Sequence, residues 1–246
     1  MWEKSNPMPE SVLDRPTRSH EYVFLLTKSE RYYYDAEAIR EPIMQASWDR
    51  AQYKPSAYAE KMPNLHGRRP ANGVDMNPAG RNKRSVWTIS TQSFSGAHFA
   101  TMPEALVLPC LLAGSSAHGA CAHCGAPWAR VVEKVDHGFA DRTFRSPHRT
   151  DTPGMTNGSG KTTLAHQLET TTLGWKPTCA CDCNSVEPCT VLDPFAGACT
   201  TGVVAVKQRR HFIGIDNNRG YLLMGQRRIE EADALFTRVL LRELSV

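Results

Sequence analysis

The segment VLDPFAGACTTG, Val191 to Gly202, followed by HFIGID, His211 to Asp216, restricts the fold more than any other part of the chain. CTVLDPF reads as a short apolar strand, and Pro194 with Gly197 makes a tight turn. TTGVVAVKQR reads as a helix, HFIGID as a second strand, and GYLLMGQRRIEEADALFTRVLLREL as a long final helix. Strand, helix, strand, helix implies a parallel sheet of the α/β class. Both strands end in a carboxylate, Asp193 and Asp216. Parallel strands deliver their last side chains to the carboxyl edge of the sheet, where open α/β folds take their ligands. Gly197 removes a side chain where a ligand approaches the backbone, and Thr200 and Thr201 cap the helix or donate to that ligand. An acid at the tip of the second strand accepts both hydroxyls of a ribose, so the expected ligand carries an adenosine.

Competing readings of this segment are less consistent with its spacing. A dinucleotide loop needs GxGxxG, and GACTTG has Cys199 at the middle glycine. The bland reading is a structural strand-turn-helix with incidental acids. GSGKTT, Gly158 to Thr163, imitates a phosphate loop, but Gly154 and Gly160 enclose five residues where four are needed, and no strand precedes them. His137, His148 and His166 show no ligand spacing.

Upstream, EYVFLLTK (Glu21 to Lys28) predicts a short buried strand at VFLL, and RYYYDAEAIREP predicts a turn towards helix that stops at Pro42. From Glu41 to Ser85 periodicity is lost. Eight basic residues stand there against four acidic ones, an excess equal to the net charge of +4 of the whole chain. Within it Arg81, Lys83 and Arg84 are candidate phosphate contacts, against the alternative of a merely solvated basic loop. MPEALVLPCLLAG predicts an apolar helix with Pro103 in its first turn and Pro109 as a kink or an early end. From Ser115 to about Pro188 the sequence is bounded by cysteines and otherwise polar, with no clear period between Val135 and Gly160.

The chain has eight cysteines and no apolar stretch near its start resembling a secretory signal. Its longest apolar run, near Ala105 to Ala113, is about half the ~20 residues that span a bilayer. A reducing, cytoplasmic setting is therefore expected. CAHCGAPW places Cys121 and Cys124 at knuckle spacing, and PTCACDC brings Cys179, Cys181 and Cys183. Two thiolate pairs closing a polar loop predict a tetrahedral structural Zn2+ site of Cys121, Cys124, Cys179 and Cys181, with Cys183 able to replace the last. The alternative is free thiols. Cys110 and Cys189 are expected to be ordinary packed residues.

VLDPFAGACTTG with FIGID behind it resembles the cofactor loop of the DNA amino methyltransferases, in the group whose cofactor motifs lie C-terminal to the catalytic one. RNKRSVWTISTQSFSGAHFATMPEAL, SHEYVFLLTKSERYYYDAEAIREP and NPMPESVLDRPT resemble further family segments in family order. Only about Val135 to Thr172 lacks a counterpart. The resemblance implies a Rossmann-like, S-adenosylmethionine-dependent methyltransferase sheet in which Asp193, Phe195 and Gly197 line the methionine and adenosine end and Asp216 holds the ribose. It implies that His98, Phe99, Met102 and Pro103 close the pocket from the other side. The family usually shows serine and glycine where this chain has Ala198 and Cys199; cofactor affinity suffers if Cys199 must take a glycine-only backbone angle and changes little otherwise.

The family holds its target amine with an Asp, Asn or Ser followed by Pro, Pro and an aromatic. That motif is missing from the sequence; Asn6-Pro7-Met8-Pro9 is only a superficial likeness. The sheet is therefore expected to be incomplete and the chain to be a C-terminal portion: a truncated gene, a late start or one half of a split enzyme. The implied activity is site-specific methylation of adenine N6 or cytosine N4 in double-stranded DNA within restriction-modification, with a companion chain supplying the catalytic motif. The alternative is a non-catalytic DNA-binding or regulatory partner that keeps the cofactor fold. The corresponding boundaries are 1–40 methyltransferase core, 41–86 basic DNA-recognition excursion, 87–114 cofactor-contacting segment, 115–188 zinc-stapled insertion, and 189–246 cofactor-binding strand-helix-strand-helix.

Overall fold

The structure, a computed structural model, describes residues 1–44, 80–92, 102–136, 168–182, 185–233 and 239–242. Two compact units form: one from 1–40, 82–131 and 174–246, the other from 41–81 and 132–173. The described elements, in chain order, are mixed α and β. They are β1 (Trp2–Glu3), β2 (His20–Glu21), a 3-10 turn (Glu37–Ile39), β3 (Trp87–Thr88), α1 (Glu104–Gly114), β4 (Ala120–Cys121), β5 (Ala129–Asp136), β6 (Leu168–Lys176), β7 (Val186–Glu187), β8 (Thr190–Asp193), α2 (Thr200–Lys207), β9 (His211–Gly214) and α3 (Arg219–Ala232).

In the first unit, β8 and β9 pair in parallel with Val191 opposite Phe212 and Leu192 opposite Ile213. Helix α2 makes the crossover between them, as a parallel pair requires. Alternation along the strands decides the faces: Val191 and Phe212 turn onto the core, where Val107 and Leu111 of α1 meet Val204 and Ala205 of α2. Phe212 also packs on a second cluster, Ala196, Cys199, Val203 and Ile229, which seats α3. The core of this unit is thus a three-helix cover on one face of a two-stranded parallel sheet.

Helix α1 keeps Pro103 as its N-cap and runs through Pro109 to Gly114. The expected early end does not occur. An interior proline costs about 3 kcal/mol, whereas α1 buries Leu106, Val107, Leu111 and Ala113, and each large apolar side chain contributes about 1.5–3 kcal/mol. Burial wins. The end of α1 is closed by Arg210, itself buried: its Nε donates to Ser115 Oγ at 3.1 Å and its Nη2 to the Ser115 carbonyl at 3.3 Å.

A separate sheet has the order β2-β1-β3, with β1 antiparallel to β2 and parallel to β3. Trp2 is buried there and donates from Nε1 to the Ile89 carbonyl at 2.8 Å. The buried Asp35 receives Nε of Arg130 at 3.1 Å and its Nη2 at 2.8 Å. This bidentate pair joins two stretches far apart in sequence, and the Arg130 guanidinium lies over the Trp175 ring at 4.5 Å. In the second unit, Glu41 and Arg81 form an antiparallel bridge reinforced by a side-chain ion pair at 3.3 Å.

Two expectations need correction. VFLL is not a buried strand: the strand stops at Glu21, and Phe24 and Leu26 are 76% and 87% exposed. An apolar run becomes a strand only when another strand pairs with it, and none does among the described residues. The final helix ends at Ala232, and Val239 packs on the cluster around Ile229. β5 and β6 pair from either side of the stretch without a clear period. Their β-branched runs, Val131-Val132 and Thr170 to Thr172, were the available signal.

Candidate cofactor pocket and cysteine centre

The turn between β8 and α2 is held by backbone and carboxylate together. Ile215 N–H donates to the Asp193 carbonyl at 2.9 Å, and Ala196 N–H to the Ile215 carbonyl at 2.9 Å. Asp193 Oδ1 accepts from Phe195 N–H at 3.0 Å. Asp216 spans the gap: Oδ2 accepts from Gly197 N–H at 2.8 Å and Oδ1 from Asn218 N–H at 2.8 Å. One carboxylate therefore ties the glycine turn to the loop leading into α3. Asn218 in turn caps α3, accepting from Gly220 N–H at 2.8 Å. The sequence signalled both acids but not this link between them.

Gly197 has φ +50°, and a Cβ built there would meet nothing within 4 Å. Backbone is open to a ligand at that point. Phe195 leaves its ring 88% exposed beside it, although aromatic rings are usually buried. Thr200 and Thr201 do not cap α2; the N-cap is Cys199, without a side-chain bond. Thr200 is buried and accepts from Arg228 Nη1 at 3.2 Å. Arg228 also donates to the Ala198 carbonyl, so α3 supplies a cation to the turn that sequence reasoning missed.

Met102 is half-exposed and Pro103 buried at the start of α1. Glu104, the next residue, is ion-paired at 2.7 Å to Lys207, which joins this end of α1 to the last turn of α2. His98 and Phe99 lie outside the described residues. Of the basic candidates, Arg81 is engaged with Glu41. Lys83 stacks its ammonium over the Trp87 ring at 4.9 Å, and the Arg84 carbonyl accepts Trp87 Nε1 at 2.6 Å.

The cysteine spacing translates directly into geometry. Sulfur atoms of Cys121, Cys124, Cys179 and Cys181 all lie within 4.8 Å of one another. The first pair sits on a knuckle: Gly125 N–H donates to the Cys121 carbonyl at 2.8 Å and Cys121 N–H to the Ala126 carbonyl at 2.8 Å. β4 and β7 pair antiparallel beneath it, Cys121 opposite Val186. Thr178 Oγ1 donates to the Pro127 carbonyl at 2.6 Å, which brings the second cysteine pair alongside. Crowding of the thiols, Cys124 first and then burial, pushes Cys181 up to about 12. A divalent cation would reverse that cost by taking thiolates. Cys183 lies outside the described residues.

Comparison with known proteins gives this geometry a family. The profile of the DNA methylases matches residues 1–121 and 183–227, and passes over the segment with Cys124, Cys179 and Cys181. The type II methyltransferase M.Cfr9I of Citrobacter freundii is 44% identical over 115 residues, 47% of this chain and 28% of that protein. M.SmaI of Serratia marcescens is 40% identical over 119 residues, 48% of this chain and 30% of that protein. The DNA adenine methyltransferase YhdJ of Escherichia coli is 57% identical over 42 residues, 17% of this chain and 14% of that protein. The chain thus spans under a third of the length of these relatives. No described helix is long and apolar enough to cross a membrane. With well over half of its residues inside the family profile, the chain belongs to the DNA methylase family, the N6/N4 amino methyltransferases of DNA.

Proposed function

We propose that this chain is the cofactor- and DNA-binding part of a site-specific DNA methyltransferase of a cytoplasmic restriction-modification pair, acting on adenine N6 or cytosine N4. One observation carries the reading: Asp193 and Asp216 lie on either side of the same turn, at the carboxyl ends of two paired parallel strands, below open space at Gly197. Relatives named as DNA methyltransferases support the reaction class.

In this reading S-adenosylmethionine supplies an electrophilic methyl group on a sulfonium. Asp193 and the exposed Phe195 face its methionine end, where a carboxylate favours the cation. Asp216 accepts the ribose hydroxyls with the lone pairs that Gly197 and Asn218 leave free, since a carboxylate has about four acceptor sites. Thr200 and Thr201 stand behind the turn, and Met102 and Pro103 at the start of α1 complete the pocket. Bound there, S-adenosylmethionine would supply its methyl group to the amine of a base flipped from the duplex, with Asp193, Phe195 and Asp216 holding it in place.

Arg81, Lys83 and Arg84 contribute phosphate contacts, which give affinity without sequence choice. Target reading belongs to the 41–86 excursion. Cys121, Cys124, Cys179 and Cys181 hold one Zn2+ that staples the 115–188 insertion onto the Rossmann-like core. The groups that hold the target amine are those of a Pro-Pro-aromatic motif, supplied either upstream in the same gene or by a companion chain. A second reading, a regulatory partner that binds DNA and cofactor without catalysis, is favoured only by the lack of that motif in this sequence.

Calorimetry tests the cofactor claim. S-adenosylmethionine is expected to bind and NAD not to, and Asp216→Ala is expected to lower affinity about tenfold or more, the worth of a hydrogen bond to a charged group. Equal binding by Asp216→Ala would remove the reading. Radiolabelled methyl transfer to DNA by the chain alone and with its companion separates the two readings.

A further inference from the structure

The turn between β8 and α2 contains a residue whose backbone conformation disfavours a side chain. Cys199 stands at φ 55° and ψ 39°, the left-handed region that a residue with a Cβ enters at a cost. Peptide planes are rigid, so rotating the Ala198–Cys199 plane changes ψ of Ala198 and φ of Cys199 together. Turning that plane over would return Cys199 to negative φ and release the strain. The plane must therefore be held.

Both ends of it are gripped. On one side Cys199 N–H donates to the Ala196 carbonyl at 2.7 Å. On the other the Ala198 carbonyl accepts from Arg228 Nη1, which also donates to Thr200 Oγ1 at 3.2 Å. A bond from a charged donor is stronger than a neutral one and outweighs the strain of a single left-handed residue. Arg228 is aimed from a fixed support. The next residue, Ile229, is buried with Ala196, Cys199 and Val203, and Asn218 caps the helix through Gly220 N–H. The groups that face a ligand depend on the same plane: Gly197 N–H, which Asp216 Oδ2 binds at 2.8 Å, lies inside the loop that the Cys199–Ala196 bond closes.

We propose that Arg228 is a positioning residue for the methyl donor: it latches the Ala198–Cys199 peptide plane and so keeps the turn in the shape that presents Gly197 and Asp216 to the cofactor. This rests on the proposed function and deepens it by adding a residue that acts on the cofactor only through the turn. The dependence on Arg228 arises because residue 199 carries a Cβ. With glycine there the same φ costs little, and the bond from the 199 amide to the Ala196 carbonyl suffices. Lysine offers a point charge in place of the planar fork, so it restores only part of the hold.

Four variants of the full chain test the latch: Arg228→Met, Arg228→Lys, Cys199→Gly, and Arg228→Met with Cys199→Gly. Each is titrated with S-adenosylmethionine in a calorimeter at a temperature where circular dichroism shows it folded. Arg228→Met is expected to weaken binding about tenfold, the worth of a charge-assisted hydrogen bond, and Arg228→Lys to recover part of the loss. On the Cys199→Gly background the same change is expected to cost less than about threefold, since glycine takes the turn conformation unaided. A purely structural arginine would lower the unfolding midpoint in both backgrounds and leave the affinity of folded chain unchanged. A direct ligand contact would cost the same in both. Either result overturns the latch. Hydrogen exchange of residues 196–200 without ligand reads the turn by itself, and Arg228→Met is expected to speed it about tenfold or more; unchanged exchange overturns the latch too. A native chain that binds no S-adenosylmethionine while its exchange responds to Arg228→Met sinks the proposed function alone. A native chain that binds it, with Arg228→Met binding equally well, sinks the latch alone.

Discussion

Cys199 stands at a left-handed backbone position, φ 55° and ψ 39°, where the family usually has glycine. The strained alternative left open by the sequence is the one that occurs, at about 1–2 kcal/mol for a residue with a Cβ. Packing offsets the strain. The side chain is buried and lies against α3 at Gly225, where an added Cβ would come 2.3 Å from Sγ and 2.7 Å from the Cys199 Cβ. Residues 199 and 225 therefore constrain each other. Gly225→Ala is expected to destabilise the chain by about 1–3 kcal/mol, the usual cost of overpacking, and Cys199→Gly in the same molecule to recover most of it. Urea unfolding of the four species of that cycle measures the coupling. The thiol itself is inert at neutral pH: burial first, then the charge of Asp193, pushes it up to about 11 from 9.0. A raised thiol stays neutral in the fold after it has begun to ionise in the unfolded chain, so its contribution to stability is complete below pH 9 and lost between pH 9 and about 11. Alkylation by iodoacetamide at pH 8, followed by peptide mapping, should leave Cys199 unmodified in the native chain.

At the scale of elements, the signals in the sequence differ in how far they reach. Two short apolar strands flanking a helix are local patterns, so β8, α2 and β9 were legible, as was α1 despite Pro109. The knuckle is local too: CxxC fixes the first cysteine pair, and only the approach of Cys179 and Cys181 needed the fold. That cluster leads to a prediction. Purified chain should contain about one Zn2+, and cobalt substitution should give the thiolate charge-transfer and d–d bands of a tetrahedral S4 site. Cys124→Ser should abolish both. Affinity for S-adenosylmethionine should change less than about twofold on metal removal, because the two sites share no residue and independent sites contribute additively. Loss of cofactor binding together with zinc would show the two sites to be coupled.

For the whole molecule, stability depends on pairs that no local pattern announces. Asp35 and Arg130 are 95 positions apart, yet they form a bidentate ion pair with the carboxylate buried. Asp35→Ala should cost about 3–5 kcal/mol, because it removes one partner of a buried ion pair, and thermal unfolding should register it as a large fall in midpoint. An exposed-pair value below about 1 kcal/mol would show solvent reaching the site. Sequence alone determined the parallel strand pair, the carboxylate at each strand tip and the CxxC pair, since each is written in residue types at short, fixed spacing. Tertiary structure decided that Asp216 grips Gly197, that Cys199 faces Gly225, and that Val191 and Phe212 are covered while Leu192, Ile213 and the VFLL run are not. The physical reason is that hydrophobicity states which surface gains from burial, whereas only the folded chain shows whether a partner surface is there to bury it.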